Sequence, residues 1–113
     1  MIKIAPSLLA SDYSNLQKEL DKISSADYLH LDIMDGTYVP NLTFGPGLIK
    51  AIRPYSNLVF DTHLMINNPS QYIKEFAQAG SDLITFHAEA AIHIHRVIQK
   101  IKLNSCKAGI ALH

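Results

Sequence analysis

The sequence predicts an α/β protein built from parallel βαβ units. Short apolar runs of strand length alternate along it with stretches whose apolar residues recur at helical spacing, and no Gly/Ser linker, charge block or low-complexity segment divides its 113 residues. At this length the chain is expected to be a single domain, residues 1–113, with an ordinary hydrophobic core.

Each element has its own signal. Residues 2–7 form a short apolar run, the first expected strand. Ser14 and Gln17 have capping-box spacing, and Leu16, Leu20 and Ile23 make a helical stripe behind them. Residues 28–34 read as the second strand. Pro46 stands where a helix tolerates proline, at the start of a helix that runs to Arg53 and is stopped by Pro54. Residues 58–65 read as the third strand. Asn68-Pro69 predicts an N-cap followed by proline in the first turn, with Tyr72, Ile73 and Phe76 as the apolar face and Gly80 as the stop. Residues 83–87 are the fourth strand. Ile94, Val97, Ile98 and Ile101 predict a helix burying one face, and 107–112 a fifth strand. Five strands alternating with four helices suit either an open doubly wound sheet or a closed barrel, and periodicity does not choose between them. Parallel sheets carry helices on their faces, so a final apolar strand with none after it leads us to expect a unit cut short.

Composition narrows the function classes. Ten basic residues balance ten acidic ones, which offers no electrostatic footprint for nucleic acid or an anionic membrane. The single cysteine, Cys106, excludes an internal disulfide framework and a Cys-x-x-Cys metal or redox motif, and a reducing cytoplasm is the expected compartment. No stretch approaches the ~18 apolar residues of a membrane span, and the N-terminus lacks the apolar core of a signal peptide, so the mature chain is read as starting at or near Met1.

Side chains alternate faces along a strand, so His30, Asp32 and Met34 share one side of the second strand while Leu29, Leu31 and Ile33 share the other. The third strand repeats the device, with Asp61, His63 and Met65 on one parity. Two adjacent strands thus bring His30, Asp32 and His63 to one end. Imidazole nitrogen with carboxylate oxygen suits zinc, iron, cobalt or manganese better than magnesium or calcium. The competing reading is three buried polar residues satisfied by hydrogen bonds, and spacing alone leaves both open. Ser7 and His87 end the first and fourth strands at the same carboxyl edge, where each also suits a turn or a loop. Asp35-Gly36 and Asn41 read as turn residues. His93 and His95, two apart on a helix, make a poor metal pair. Cys106 reads as a small buried hydrophobe. Gly45-Pro46-Gly47 matches no phosphate-binding glycine motif.

Five stretches, Ile4-Ala-Pro-Ser-Leu-Leu-Ala10, His30-Leu-Asp-Ile-Met-Asp-Gly36, Val39-Pro-Asn-Leu-Thr-Phe-Gly45, Asp61-Thr-His-Leu-Met65 and Phe86-His-Ala-Glu89, together resemble the successive signatures of ribulose-phosphate 3-epimerases. The resemblance runs from Ile4 to Leu112. It implies a (β/α)8 TIM barrel of the ribulose-phosphate-binding type, represented by its N-terminal part and broken off after about the fifth strand. It also implies one divalent transition metal held by His30, Asp32 and His63, with Asp32 as one of two acid/base carboxylates. Ser7, His63, Met34 and Met65 would contact a sugar-phosphate substrate.

The implied reaction inverts C3 of D-ribulose 5-phosphate to D-xylulose 5-phosphate, a step of the pentose phosphate pathway. One carboxylate removes the C3 proton, an enediolate forms, and a second acid returns a proton on the opposite face. That second carboxylate and the phosphate-binding loops belong to later strands of such a barrel, so this stretch alone is expected to be inactive. Two alternatives stand beside this reading: epimerisation of a ketohexose 6-phosphate such as allulose 6-phosphate, and a non-catalytic half barrel that binds metal or sugar phosphate or pairs with another half as a homo-oligomer.

Overall fold

The computed structural model describes residues 5–6, 15–40 and 42–112. Four strands, β1 (Tyr28–Met34), β2 (Val59–Met65), β3 (Leu83–His87) and β4 (Lys107–Ala111), form one sheet in the order β1-β2-β3-β4, every pair parallel. Between and before them lie α1 (Leu16–Lys22), α2 (Pro46–Ile52), α3 (Ile73–Ala79) and α4 (Ile94–Leu103). A doubly wound sheet reverses direction part-way, whereas here each strand is added beside the last. Progression in one direction with crossovers of one hand is the winding of a barrel. The fold is α/β and consistent with the N-terminal half of a TIM barrel. Of the expected first strand only Ala5 and Pro6 are described; the Pro6 carbonyl accepts the His30 N–H at 2.9 Å, so residue 6 lies alongside β1.

Burial follows strand parity. Leu29, Leu31, Phe60, Leu64, Ile84 and Phe86 are fully buried on the face toward the helices, where they meet Ile49, Ile52, Ile73, Phe76, Val97 and Ile101. Each such side chain contributes ~1.5–3 kcal/mol of burial. Thr62 shares this face at zero exposure, its hydroxyl joined to that of Ser81 at 2.6 Å. The opposite face carries His30, Asp32, Asp61, His63 and Thr85, all of intermediate exposure.

Several boundaries differ from the sequence reading. Ser14 lies outside the described residues, and α1 opens at Asn15 with no side-chain cap. Arg53–Tyr55 is a separate 3₁₀ turn after α2, because Pro54 cannot continue the α-helical ladder. Asn68 adopts a left-handed φ of 54° and its side-chain amide donates to Gln71 Oε1, so it turns the chain without capping it. A 3₁₀ stretch, Pro69–Tyr72, then precedes α3. Ile94, the first residue of α4, is 39% exposed, and the buried face of that helix is Val97 and Ile101.

Two devices fix the ends of the sheet. At the amino end the Arg53 guanidinium donates to the carbonyls of Gly80, Ser56 and Leu58 and to Asp82 Oδ2, and lies 3.5 Å over the Phe60 ring centroid. Gly80 ends α3 at φ 129°, and a Cβ there would sit 2.5 Å from Arg53 Cδ. At the carboxyl end Asp35 Oδ1 accepts the N–H groups of Thr37 and Tyr38, and Oδ2 that of Asn67, tying the loop after β1 to the loop after β2. Farther along the sheet Gly109 lies beside Thr85, whose Oγ1 would be 2.6 Å from any added Cβ.

Gly80→Ala is expected to lower stability by about 1–3 kcal/mol in a denaturant titration, since it strains a left-handed backbone and displaces a guanidinium pinned by four hydrogen bonds. Burial opposes the shift, but the three N–H donors together hold the Asp35 carboxyl below its ordinary 3.8. A depressed folded value means that the contribution is complete above 3.8 and is lost as pH falls through the folded value. Thermal melts should therefore show Asp35→Asn less stable than wild type at pH 6, with the gap closing as pH falls below 3.8; a gap that stayed constant would contradict this.

Candidate functional site

In-register parallel pairing turns strand parity into rows of neighbours. One row across the polar face is Asp32, His63, Thr85 and Gly109, and the row toward the amino end is His30, Asp61, Leu83 and Lys107. His30, Asp32 and His63 are brought together, with one ligand-capable atom from each lying within 4.8 Å of the others. His30 Nε2 is 2.9 Å and His63 Nδ1 3.3 Å from Asp32 Oδ1. The three side chains are 14–27% exposed, so an ion or substrate can reach them from the open side of the sheet.

The far nitrogen of each imidazole is also engaged. His30 Nδ1 donates to Asp61 Oδ2 at 3.0 Å. That hydrogen bond raises the His30 pKa above 6.5 against the opposing effect of burial, and the charge of Asp32 adds to it. His63 Nε2 lies 2.8 Å from His87 Nε2, the two rings tilted by 20° with centroids 4.9 Å apart. Burial first and the neighbouring His87 second hold His63 below 6.5. Asp32 is fixed through its backbone: the Thr43 hydroxyl donates to its carbonyl at 2.8 Å and accepts the Met34 N–H at 2.9 Å.

Two imidazoles and a carboxylate make a donor set suited to a divalent transition ion. Asp61 behind His30 adds the carboxylate–histidine pairing that fixes the tautomer of a metal-bound imidazole, so the residues present fit such an ion. A recess of about 460 Å³ opens near Ile33, Pro46, Tyr72 and Phe76, toward the helices, and includes none of the three.

Met34 and Met65 end β1 and β2 as direct neighbours and are of intermediate exposure. Ser7, Asn41 and His113 lie outside the described residues. His93 is the N-cap residue of α4 and His95 is exposed. Cys106 is buried, its thiol donating to the Ser81 carbonyl at 3.1 Å and pushed up in pKa by that burial. Sequence reasoning missed four contacts: Asp61 with His30, His87 with His63, Thr43 with the end of β1, and Tyr38, whose hydroxyl donates to Glu89 Oε1 at 3.0 Å. Only the first left a signal, the shared parity of Asp61 and His63 next to the strand of His30. Among the described residues no helix is long and apolar enough to cross a membrane.

Residues 3–113 match the sequence profile of the ribulose-phosphate 3 epimerase family. The ribulose-phosphate 3-epimerase of Bacillus subtilis is 48% identical over 115 residues, covering 100% of this chain and 53% of the relative. That of Rhodobacter capsulatus is 46% identical over 114 residues, 99% of this chain and 50% of the relative. The Treponema pallidum enzyme of the same name is 46% identical over 111 residues, 96% of this chain and 51% of the relative. The chain therefore spans about half the length of the curated relatives it matches, their N-terminal half. A parallel sheet wound in one direction, a His-Asp-His cluster on its polar face and a match across nearly the whole sequence lead to one conclusion: the chain belongs to the ribulose-phosphate 3-epimerase family.

Proposed function

We propose that this chain is the metal-holding, first acid–base part of an epimerase that interconverts D-ribulose 5-phosphate and D-xylulose 5-phosphate at C3, residues 1–113 being the N-terminal portion of one barrel domain. The observation that carries the proposal is the convergence of His30, Asp32 and His63 on one point of the polar face. His30 through Nε2, Asp32 through Oδ1 and His63 through Nδ1 would hold zinc, iron, cobalt or manganese. When bound, such an ion supplies the charge that makes a proton α to a carbonyl acidic enough to remove.

The remaining chemistry falls to side chains. Asp32 takes the C3 proton, its carboxylate standing between the two imidazoles on the open face. Thr43 holds the backbone of Asp32 and Met34, which keeps the carboxylate aimed at the open face. Met34 and Met65 line the approach with apolar surface, excluding water from the reacting carbon. Ser7 and His63 contact the sugar. Inversion also needs an acid on the opposite side of C3. Among the described residues of this face, Asp61 is bound to His30 and Glu89 to Tyr38, so neither supports that role. A sugar phosphate of five carbons is the substrate that the names of the relatives support.

In a full-length protein carrying this sequence, Asp32→Asn is expected to lower kcat by at least ~10²–10⁴-fold with the fold intact by circular dichroism, because the amide neither accepts the C3 proton nor neutralises an ion. A loss of only a few-fold would contradict the assignment. The 113-residue chain by itself is expected to give no conversion of ribulose 5-phosphate above background in a coupled xylulose 5-phosphate assay. Chelator-sensitive activity of that chain would overturn the division of labour proposed here.

A further inference from the structure

We propose that His87 is a positioning residue for the metal centre: it accepts the Nε2–H of His63 and so holds that ring with Nδ1 directed at the ion. The inference rests on the metal reading above and adds a residue to it. A neutral imidazole that gives one nitrogen's lone pair to a metal carries its proton on the other, and in a half-buried site that N–H needs an acceptor. His30 has one in Asp61. For His63 the acceptor is His87 Nε2 at 2.8 Å, on the far side of the ring from Asp32.

The surroundings of His87 suit acceptance. If Nε2 is to accept, the proton of a neutral His87 belongs on Nδ1, and that atom faces Glu89 Oε1 at 3.6 Å. Glu89 in turn receives the Tyr38 hydroxyl at 3.0 Å, and the Tyr38 ring lies 5.3 Å from that of His87 between centroids. A line of polar groups therefore runs from His63 through His87 to Glu89 and Tyr38, its His87–Glu89 step at 3.6 Å being longer than a hydrogen bond. It crosses from β2 to the end of β3 and on to the loop after β1. His87 itself is 9% exposed, so its ring cannot readily turn away to solvent. The two imidazoles of the centre are thus backed by different chemistry, a carboxylate behind His30 and a second imidazole behind His63.

Two substitutions of similar bulk separate hydrogen bonding from packing. His87→Leu fills the space but removes the acceptor, and His87→Gln reaches about as far and presents an amide oxygen. Zinc affinity of the 113-residue chain, measured by competition with a chromophoric chelator, is expected to fall by about 10–100-fold in His87→Leu. It should stay within about three-fold of wild type in His87→Gln. In zinc-loaded wild type and His87→Gln, imidazole nitrogen shifts should place the His63 proton on Nε2. Equal zinc affinity in all three proteins, equal losses in both variants, or zinc on His63 Nε2 would overturn the role of His87 while leaving the metal site standing. A wild-type chain that takes up no zinc, or takes it up unchanged in Asp32→Asn, would overturn the metal reading and this inference with it.

Discussion

The register between β1 and β2 is the constraint on which the site depends. Asp32 stands opposite His63 and His30 opposite Asp61 because the two strands pair in parallel without offset over seven residues. A slip of one residue would carry every side chain of a strand to the other face. Leu29, Leu31 and Ile33 on β1 and Phe60 and Leu64 on β2 would then face the open side, and His30 and Asp32 would meet the helices. The apolar core therefore aims the ligands. It does so from the side of the sheet that never touches them.

Polar contacts then refine what packing has placed. Asp61 reaches across from β2 to His30 on β1, Thr43 returns from the following loop to hold the last residues of β1, and His87 meets His63 from β3. The Asp61 and His87 contacts join strands 31 and 24 residues apart, and Thr43 reaches back nine residues to Met34. The cluster consequently needs the sheet assembled before its geometry exists, and Arg53, gathering four acceptors at the amino end, serves that assembly.

What could be read from the sequence was what period alone encodes. The bounds of β1, the polar face of β1 and β2, the apolar stripe through Val97 and Ile101 and the stop at Gly80 are local patterns of side-chain type. The choice of barrel over doubly wound sheet was not local, and it came from the resemblance. Asn68-Pro69 satisfies two local rules at once, helix N-cap and left-handed turn, and the structure follows the second. Ile94 obeys the helical stripe yet lies in its first turn, where less of the sheet covers it. The partner of His87 had no sequence signal, because a strand end facing a neighbouring strand end is fixed by tertiary pairing across 24 residues. Tyr38 and Glu89, 51 residues apart, meet for the same reason.

Gly109 closes the row that begins with Asp32. Along that row the side chains pass from carboxylate to imidazole to a small hydroxyl and then to hydrogen, so the wall tapers away from the ligands. Thr85 has its hydroxyl where a fourth side chain would otherwise stand. Were that space filled, Thr85 would have to turn, and the next neighbour along the row is His63. Elbow room for a ligand on one strand is therefore set two strands away, by the one residue type that has no side chain to contribute.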